Sequence, residues 1–404
     1  MDALGVANTG LRALVGQLWT TGGSAVVLVP PSDGHPPDGY RIAERYAVVP
    51  DLRRARFLVP LATRRAASAS LLRYNALRPI RKRAVRGVLG LGLRAGLGAA
   101  FPQLTVAVPR DAPPSALLST HLAEVLGRGP LVFGVGVRPL DPNSKPTLQL
   151  FSPGGTSIGY AKIGWNPATR DLVANEAASI TALPPLEAAH VPAVLHHGSW
   201  GERTVTVTEP LPARVRGHRD PDTPPPLDLL RAIAAPSAPV PLAASAYWKR
   251  LRDETAGVEP ADADDRRFGE ALRAALDRVE RTSGGAGREF GRWHGDWVPW
   301  NVGTHRGRLQ LWDWEHSADQ VPFGLDLLHW RFQVALVLRG APLPTAVAAV
   351  RESARHELGD PAAADLYLLE MSARTWRLRR GGGGWNPALH PALLGVLAEI
   401  GGTV

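Results

Sequence analysis

The sequence predicts an α+β fold in which a β-rich part precedes a mainly helical part. Three short apolar runs between residues 131 and 165, separated by turn residues, are typical of strands. After residue 325 the pattern is helical, over 325–338, 344–358, 361–378 and 387–400. The stretch 292–330 carries a polar loop and then a short predicted strand, 309–313, and leads into the first of these helices. We therefore expect a sheet region first and a helical region second, with a polar loop early in the second.

Length and composition limit the class of protein. A chain of 404 residues is long enough for two or three domains. The absence of cysteine from the sequence excludes disulfides and cysteine metal sites. The start of the chain lacks a basic segment followed by a long apolar run, and the apolar window 85–108 is interrupted by Arg94 and by glycines. We expect neither a signal peptide nor a membrane span, and a cytoplasmic location.

Positive charge is concentrated at the start of the chain. Residues 1–120 contain 16 basic and 6 acidic side chains, whereas the whole chain has a net charge of +9, so the remainder is close to neutral. Only four of the 46 basic residues are lysines, as in arginine-rich proteins of GC-rich bacteria. Arginine abundance is therefore weak evidence of function, whereas a retained lysine draws attention to its position.

Residues 1–120 match no motif and are predicted to form a basic N-terminal extension of unknown role. Runs 25–29 and 56–61 could be strands, and 66–75 reads as a helix that Pro79 would end or kink. A basic cluster follows, made of Arg78, Arg81, Lys82, Arg83 and Arg86.

The basic cluster admits several interpretations. It could contact an anionic membrane surface, a nucleic acid or an anionic substrate. The simpler alternative, which we favour, is a solvated face or a face docked on the acidic run 253–270. Because no aromatic residue lies between Arg78 and Arg94, a single-stranded nucleic-acid groove is disfavoured. Peripheral contact of this segment with an anionic surface stays open, and a nucleic-acid partner is not expected.

The β-rich part contains a lysine in an unusual setting. Lys162 lies in an otherwise apolar predicted strand, where a charged side chain is costly unless it is paired. A helix should begin at Asn166-Pro167, since proline favours the first turn. Within that helix Leu172, Glu176 and Ile180 share one face at spacing four. Glu176 is therefore the candidate partner of Lys162, against the alternative of two unrelated surface charges.

The polar stretch carries the groups that phosphoryl transfer requires. Asp296 and Asn301 are five residues apart, and Asp313 follows twelve residues later at the end of a short strand. One carboxylate can take the proton of an acceptor hydroxyl, while a second carboxylate and an amide oxygen can hold magnesium beside the phosphates.

The motifs HGDWVPWN and WDWE resemble those of the aminoglycoside phosphotransferase and choline kinase family, whose members have a protein-kinase-like fold. The resemblance implies a small β-rich N-lobe at 121–212 and a mainly helical C-lobe at 213–404, with ATP and Mg²⁺ as cofactors. It makes Asp296 the catalytic base and Asn301 and Asp313 the metal ligands.

The resemblance also implies nucleotide-binding roles for Lys162, Glu176, the phosphate loop Asn143-Ser144-Lys145, and the backbone near Glu209 and Leu211. These last two residues follow the predicted strand 203–208. His294 would be a buried scaffold residue, and Asp326 would tie down the catalytic loop or cap its helix.

The acceptor and two other functions stay open at this stage. A small-molecule hydroxyl, on a sugar, an amino alcohol or an antibiotic, is the expected acceptor. Residues 321–404 contain 8 arginines and 7 acidic residues, which does not favour a polycationic aminoglycoside. Trp297 and Trp300 could stack on an acceptor, although core packing is the more common role.

Two functions other than phosphoryl transfer stay open. One is a nucleotide-binding regulator whose N-terminal segment engages a membrane or partner. The other is a hydrolytic metal site at His294, Asp296 and His316.

Overall fold

The structure, a computed structural model, describes residues 8–19, 27–29, 35–73, 80–139, 141, 143–187, 189–224 and 226–402. The chain divides into two units. The first comprises Met1–Ala177 and Pro192–Gly217, and the second comprises Ala178–Val191 and His218–Val404.

Strands occur throughout both units. In chain order they are β1 Val27–Val29, β2 Tyr40–Val49, β3 Phe57–Pro60, β4 Gln103–Pro109, β5 Val132–Gly136, β6 Thr147–Phe151, β7 Ser157–Gly164, β8 Ala189–His190, β9 Val194–Trp200, β10 Arg203–Thr208, β11 Arg216–Gly217, β12 Val240–Pro241, β13 Gly287–Arg288, β14 Phe290–Trp293, β15 Val302–His305, β16 Arg308–Leu311 and β17 Ala318–Pro322.

Helices are most frequent in the second unit. In chain order they are α1 Thr9–Leu18, α2 Arg64–Leu72, α3 Ile80–Ala95, α4 Leu118–Val125, α5 Pro167–Thr181, α6 Leu227–Ala234, α7 Ala246–Thr255, α8 Ala263–Ser283, α9 Leu325–Gln333, α10 Leu343–His356, α11 Ala362–Leu378 and α12 Leu393–Gly401. The predicted α+β class is confirmed, as are the three strands between 131 and 165, the strand 203–208, the helix that begins at Pro167 and the helices after 325.

The first unit is built on one antiparallel sheet. Its strand order is β1-β4-β2-β3-β5-β6-β7-β10-β9. In β10 the valines of the Thr-Val alternation are fully buried and lie opposite Ile163 and Ala161 of β7. The threonines lie between them, and Thr206 is opposite Lys162. Alternation thus sends one face of each strand into the core, as a period of two requires.

The first 120 residues contribute to this sheet and to its core. Leu58 of β3 pairs with Val135 of β5, so the ladder continues across residue 120. The rings of Trp19, Tyr46 and Phe133 pack together, with centroids 5.5–6.1 Å apart. The structure therefore does not divide the chain at residue 120, where we predicted the end of a separate extension, because strands on both sides of that point bury one another's apolar faces.

A smaller core lies under α2 and α3. Thr63 caps α2 by accepting a hydrogen bond from the backbone N–H of Ala66 at 3.1 Å. Leu71 of α2 and Leu93 of α3 are buried in one cluster with Val49 and Val59 of the sheet. Of the predicted strand 25–29, residues 27–29 form β1, and the predicted helix 66–75 corresponds to α2. Arg78 and Pro79 lie outside the described residues.

The second unit is mainly helical. Its largest core is formed by α7 to α12, and α11 contributes side chains buried on nearly every position from Ala363 to Trp376. Two small antiparallel pairs, β14–β17 and β15–β16, flank the segment between Trp293 and Val302. β8 extends the second pair as a parallel neighbour of β16. Among the described residues, no helix combines the length and the apolarity needed to cross a bilayer.

Candidate functional site

In the first unit, Lys162 and Glu176 form a largely buried ion pair. The Lys162 Nζ atom lies 2.8 Å from a carboxylate oxygen of Glu176, and their side chains are 15% and 3% exposed. Lys162 comes from β7 and Glu176 from α5, as predicted. A buried ion pair is often no more stabilising than apolar residues of the same size, so this pair is weak evidence for a role in stability alone.

Local contacts fix the two elements that carry this pair. Asn166 begins α5 by accepting a hydrogen bond from the Thr169 N–H at 2.8 Å. The Thr206 hydroxyl of β10 donates to the Val173 carbonyl of α5 at 3.0 Å. Thr206 is also the residue opposite Lys162 in the sheet. The helix is thus held to the strands at the level of the lysine, and Glu176 can reach it.

The predicted phosphate loop is held by hydrogen bonds of its own. The backbone N–H of Asn143 donates to Asp141 Oδ1, and that of Ser144 donates to the Asp141 carbonyl, both at 2.9 Å. Lys145 Nζ donates to the Asn143 carbonyl at 3.2 Å, and the Trp165 indole donates to the Ser144 carbonyl at 2.9 Å. Two of the amides that we predicted to cover phosphates are therefore engaged with Asp141, and the nucleotide-binding role of this loop stays a prediction.

In the segment after β10, some of the backbone groups already make hydrogen bonds within the protein. The Glu209 backbone N–H donates to the Ala193 carbonyl at 2.9 Å, and its carboxylate accepts from the Ala193 N–H at 3.2 Å. Leu211 is buried. Because the Glu209 N–H is engaged, the backbone carbonyls of this segment are the better candidates for the predicted adenine contact, which stays a prediction.

In the second unit, α9 anchors the loop that carries Asp296. The carboxylate of Asp326 accepts hydrogen bonds from the backbone N–H groups of His294 and Gly295, at 2.7 and 2.9 Å. Gly295 has a φ of +76°, and a Cβ there would lie 2.1 Å from the His316 carbonyl oxygen, so only glycine fits. Of the two predicted roles of Asp326, the structure thus has it tying down the loop.

A second anchor comes from α11. The buried Arg374 donates to the Gly295 carbonyl at 2.8 Å, and its guanidinium lies 5.0 Å from the centre of the Trp293 ring. The two peptide groups around Gly295 are thereby held from two sides, by the carboxyl group of Asp326 at the N–H and by the guanidinium of Arg374 at the carbonyl. These contacts fix the backbone directly before Asp296.

His294 is a scaffold residue, as predicted. It is 1% exposed, its Nδ1 accepts the Asp296 backbone N–H, and its Nε2 donates to the Trp312 carbonyl, both at 3.2 Å. This tautomer is neutral, and burial lowers the pKa of His294 to about 4. Because both ring nitrogens are engaged with the backbone, His294 has none left for a metal, which removes the hydrolytic metal site from consideration.

Both carboxylate oxygens of Asp296 accept a hydrogen bond. Asn301 Nδ2 donates to Oδ2 at 2.7 Å, and His329 Nε2 lies 3.1 Å from Oδ1. The other nitrogen of His329, Nδ1, lies 3.0 Å from the Tyr367 hydroxyl. Since a carboxylate only accepts, the proton of neutral His329 is on Nε2, and Tyr367 donates to Nδ1. A chain of hydrogen bonds therefore runs from Tyr367 through His329 to Asp296.

Charge states in this group follow from burial and contacts. Burial raises the pKa of Asp296, but the contact with His329, chiefly its hydrogen bond, outweighs burial, and the net pKa lies below the ordinary value. Burial lowers the pKa of His329, so its ring is neutral at pH 7. Burial also raises the pKa of Asp326 to about 7, against the opposing effect of its two amide donors. Asp296 is therefore an ionised carboxylate, and each of its oxygens keeps a second lone pair for another donor.

Asn301 and Asp313 are linked through the backbone. The Trp312 N–H donates to the Asn301 carbonyl at 3.3 Å, which joins the end of β16 to the loop. The Asn301 amide nitrogen is committed to Asp296, so its oxygen is the atom that could hold a cation. Asp313 has a φ of +75°, a conformation that costs a non-glycine residue about 1–3 kcal/mol and is concentrated at functional sites.

Glu315 is a further candidate oxygen ligand that sequence reasoning did not include. One of its carboxylate oxygens lies within 4.8 Å of an Asp313 oxygen. The spacing of two residues in WDWE was the available signal. Carboxylate oxygens are ligands that Mg²⁺ prefers, so Asp313 and Glu315 suit a magnesium ion, and the role of Asn301 as a ligand stays a prediction.

The tryptophans of the loop divide between core and surface. Trp297 is fully buried beside His294, with ring centroids 5.7 Å apart, so the packing role is confirmed for it. Trp300 is 40% exposed. Of the two, only Trp300 offers a ring face to a ligand.

Sequence reasoning missed His329, Tyr367 and Arg374. His329 lies three residues after Asp326 on α9, so helical spacing could have placed both on one face. Tyr367 and Arg374 are seven residues apart on α11, again on one face. The sequence held no signal, however, that this face would meet the catalytic loop.

Comparison with known proteins found similar solved structures and nothing else. No protein-family model and no curated protein sequence matches the chain. A thermostable mutant of aminoglycoside phosphotransferase APH(4)-Ia is 15% identical, with 71% of this chain and 99% of that chain covered and a TM-score of 0.44. A glucosamine kinase is 14% identical, with coverage of 72% and 84% and a TM-score of 0.29. Amicoumacin kinase hAmiN, solved with AMP-PNP and Ca²⁺, is 11% identical, with coverage of 67% and 86% and a TM-score of 0.33.

Proposed function

We propose that this chain is an ATP- and magnesium-dependent phosphotransferase that acts on a hydroxyl group of a small molecule. The observation that carries the proposal is the environment of Asp296, an ionised carboxylate that Asn301 and His329 hold by one hydrogen bond on each oxygen. The Lys162–Glu176 pair supports the proposal independently, because its cation suits the phosphates of a nucleotide.

The proposed reaction uses Asp296 as the base. The acceptor hydroxyl gives its proton to Asp296 while its oxygen forms a bond to the γ-phosphorus of ATP. The bond between that phosphorus and the β–γ bridging oxygen breaks, and ADP leaves with the electron pair. Catalysis of this kind comes from positioning and from neutralisation of charge, with little covalent work for the protein.

Each of the other residues has a supporting role. Lys162, oriented by Glu176, would bind the α- and β-phosphates. Magnesium, held by Asn301, Asp313 and Glu315, would supply positive charge to the phosphate oxygens. Asp326 and Arg374 would keep the backbone before Asp296 in place, and the exposed ring of Trp300 would stack on a sugar ring or a cation of the acceptor.

The decisive experiment is ATP turnover with magnesium across a panel of sugars, amino alcohols and antibiotics. We expect one acceptor to stimulate turnover, and Asp296→Asn to lower kcat by about a hundredfold to ten-thousandfold. Asp319→Asn is the matched control, because Asp319 is exposed and pairs with Arg292. Its kcat should stay close to that of the wild type.

Two results would count against the proposal. ATP binding without turnover of any acceptor would favour a nucleotide-binding regulator. Turnover that survives both removal of magnesium with a chelator and the Asp296→Asn substitution would show that the chemistry lies elsewhere.

A further inference from the structure

An exposed apolar face lies on α3 in the first unit. Among the large apolar side chains of the described residues, the four with the highest exposed fractions are Val88 at 72%, Leu91 at 65%, Val85 at 61% and Leu97 at 59%. Three of them lie on α3, and Leu97 follows in the next turn. Scattered apolar residues are normal on a surface, but four within thirteen positions form a patch.

The helix already has a different face in the core. Leu93 of α3 is buried, Gly90 lies against Leu72, and Arg86 donates to the Leu71 carbonyl at 3.0 Å. The exposed valines and leucine therefore do not serve the packing of α3 on the sheet. A second apolar face on a helix is suited to contact with a further apolar surface outside the fold's own core.

Basic residues border the apolar face on both sides. At about 100° per residue, Val85, Val88 and Leu91 span an arc of about 120°, with Lys82 and Arg94 about 60° beyond its two ends. Both basic side chains are exposed. A third, Arg64, lies beside Gly96, where a Cβ would be 3.0 Å from its guanidinium carbon. Arg86, by contrast, is buried, so only part of the basic cluster seen in the sequence faces solvent.

The surrounding sequence carries charge of one sign. Residues 52–110 contain 13 basic side chains and no acidic one. A second copy of this chain would bring like charges together on this face, which disfavours self-association. A nucleic acid would match the charge but not the apolar arc at its centre. A lipid surface with anionic headgroups matches both, because apolar side chains enter the acyl boundary while the flanking cations contact the headgroups.

We propose that the face formed by Val85, Val88, Leu91 and Leu97, with Lys82 and Arg94 at its borders, docks the protein on the surface of an anionic lipid bilayer. The contact is peripheral, with α3 lying in the plane of the interface. It does not depend on the proposed phosphotransferase activity.

The test is co-sedimentation of the full chain with vesicles. We expect binding to vesicles of equal phosphatidylcholine and phosphatidylglycerol, and little binding to phosphatidylcholine alone. The double variant Val88→Ser/Leu91→Ser should lose binding. The double variant Lys82→Gln/Arg94→Gln should weaken it by about 25-fold, since each cation near the surface contributes about fivefold. Raised salt should weaken binding of the wild type.

The matched control is Val337→Ser/Leu338→Ser, which alters two exposed apolar residues of the second unit, 56% and 49% exposed. It should bind vesicles as the wild type does. All of these positions are exposed, so circular dichroism and the melting temperature should be unchanged and a loss of binding can be assigned to the surface.

Three results would overturn the proposal. One is absence of vesicle binding, or equal binding to neutral vesicles. Another is a dimer in sedimentation velocity that Val88→Ser/Leu91→Ser converts to a monomer, which would make the face a contact between two copies. The third is binding of duplex DNA that the charge variant loses and the apolar variant keeps, which would make a nucleic acid the partner.

Discussion

His294 shows at the scale of one residue how burial determines chemistry. The sequence offered two roles for this histidine, the scaffold residue that the family resemblance implied and a ligand of a hydrolytic metal site. The structure places it among Trp297 and Trp314, with both nitrogens engaged by the backbone. A histidine in that environment is neutral, and its contribution to stability depends on pH.

We predict that His294 makes the protein less stable in mild acid. Its pKa is about 4 in the folded state and near 6.5 in the unfolded chain, so the unfolded chain binds the proton more tightly and stability falls as the pH drops from 6.5 towards 4. Between pH 7 and pH 5 the loss assigned to His294 is about 2 kcal/mol. Urea unfolding followed by tryptophan fluorescence measures it.

The comparison variant is His294→Gln, which keeps one donor and one acceptor but does not titrate. The wild type should lose about 2 kcal/mol more than the variant between the two pH values. His329, whose pKa is also lowered by burial, titrates in both proteins and cancels from the difference. Equal losses in the two proteins would show that His294 is charged in the folded state.

At the scale of elements, two helices position one loop. α9 supplies Asp326 and His329, and α11 supplies Tyr367 and Arg374. The two residues on each helix are three or seven positions apart, a spacing that places both on the same face of the helix. The loop is thus fixed by elements that lie 30 to 80 residues further along the chain.

We predict that the Tyr367 hydroxyl affects catalysis through His329. Tyr367→Phe removes the donor to Nδ1, which weakens the preference for the tautomer that donates to Asp296. We expect kcat to fall by up to about tenfold, the scale of one neutral hydrogen bond. Because the His329 contact lowers the pKa of Asp296, its weakening should move the acid limb of the pH–rate profile to higher pH.

Tyr247→Phe is the control for this prediction. Tyr247 is also a buried tyrosine, and its hydroxyl donates to the Leu366 carbonyl at 3.1 Å. It should lose similar stability without a shift of the acid limb. An unchanged profile in Tyr367→Phe would show that His329 supports only the packing of α9.

The sequence predicted elements whose partners are close in the chain. The Lys162–Glu176 pair was predictable because a strand leads directly into a helix and fourteen residues separate the two side chains. The helices after residue 325 were predictable from their periodicity. The contacts of Tyr367 and Arg374 with the loop were not, because nothing in α11 itself distinguishes a face that meets a loop from a face that meets a helix.

At the scale of the whole molecule, contacts between residues that are distant in the sequence again leave no local signal. This explains why we placed a domain boundary at residue 120. Leu58 and Val135 pair although 77 residues separate them, and strand pairing at that distance leaves no local signal. Basic composition made the first 120 residues look distinct from the rest of the chain. The charged residues that dominate its composition lie mainly on the exposed face of a segment. Which segments fold together is decided instead by the apolar residues that they bury against one another.

We predict that a chain comprising residues 121–404 does not form the first unit. Without β3, the edge of β5 is unpaired, and without Trp19 and Tyr46 the ring of Phe133 is uncovered. ATP binding should be lost, and the fragment should aggregate or show reduced strand content by circular dichroism.

Co-expression of residues 1–120 with residues 121–404 provides the control. If the sheet assembles by strand pairing, the two fragments should associate and recover ATP binding. ATP binding by 121–404 alone would instead support the separate extension that the sequence first indicated.

The discontinuity of the first unit has a consequence during synthesis on the ribosome. β7 pairs with β10, but 38 residues lie between Gly164 and Arg203, and some of them belong to the second unit. At about 5 to 20 residues per second, that interval lasts about 2 to 8 s. Throughout it, the nascent chain carries β7 with one edge unpaired and Ile163 without its partner Val205. During this interval the newborn chain is open to strand-to-strand aggregation at that edge, and a chaperone that covers the edge would protect it.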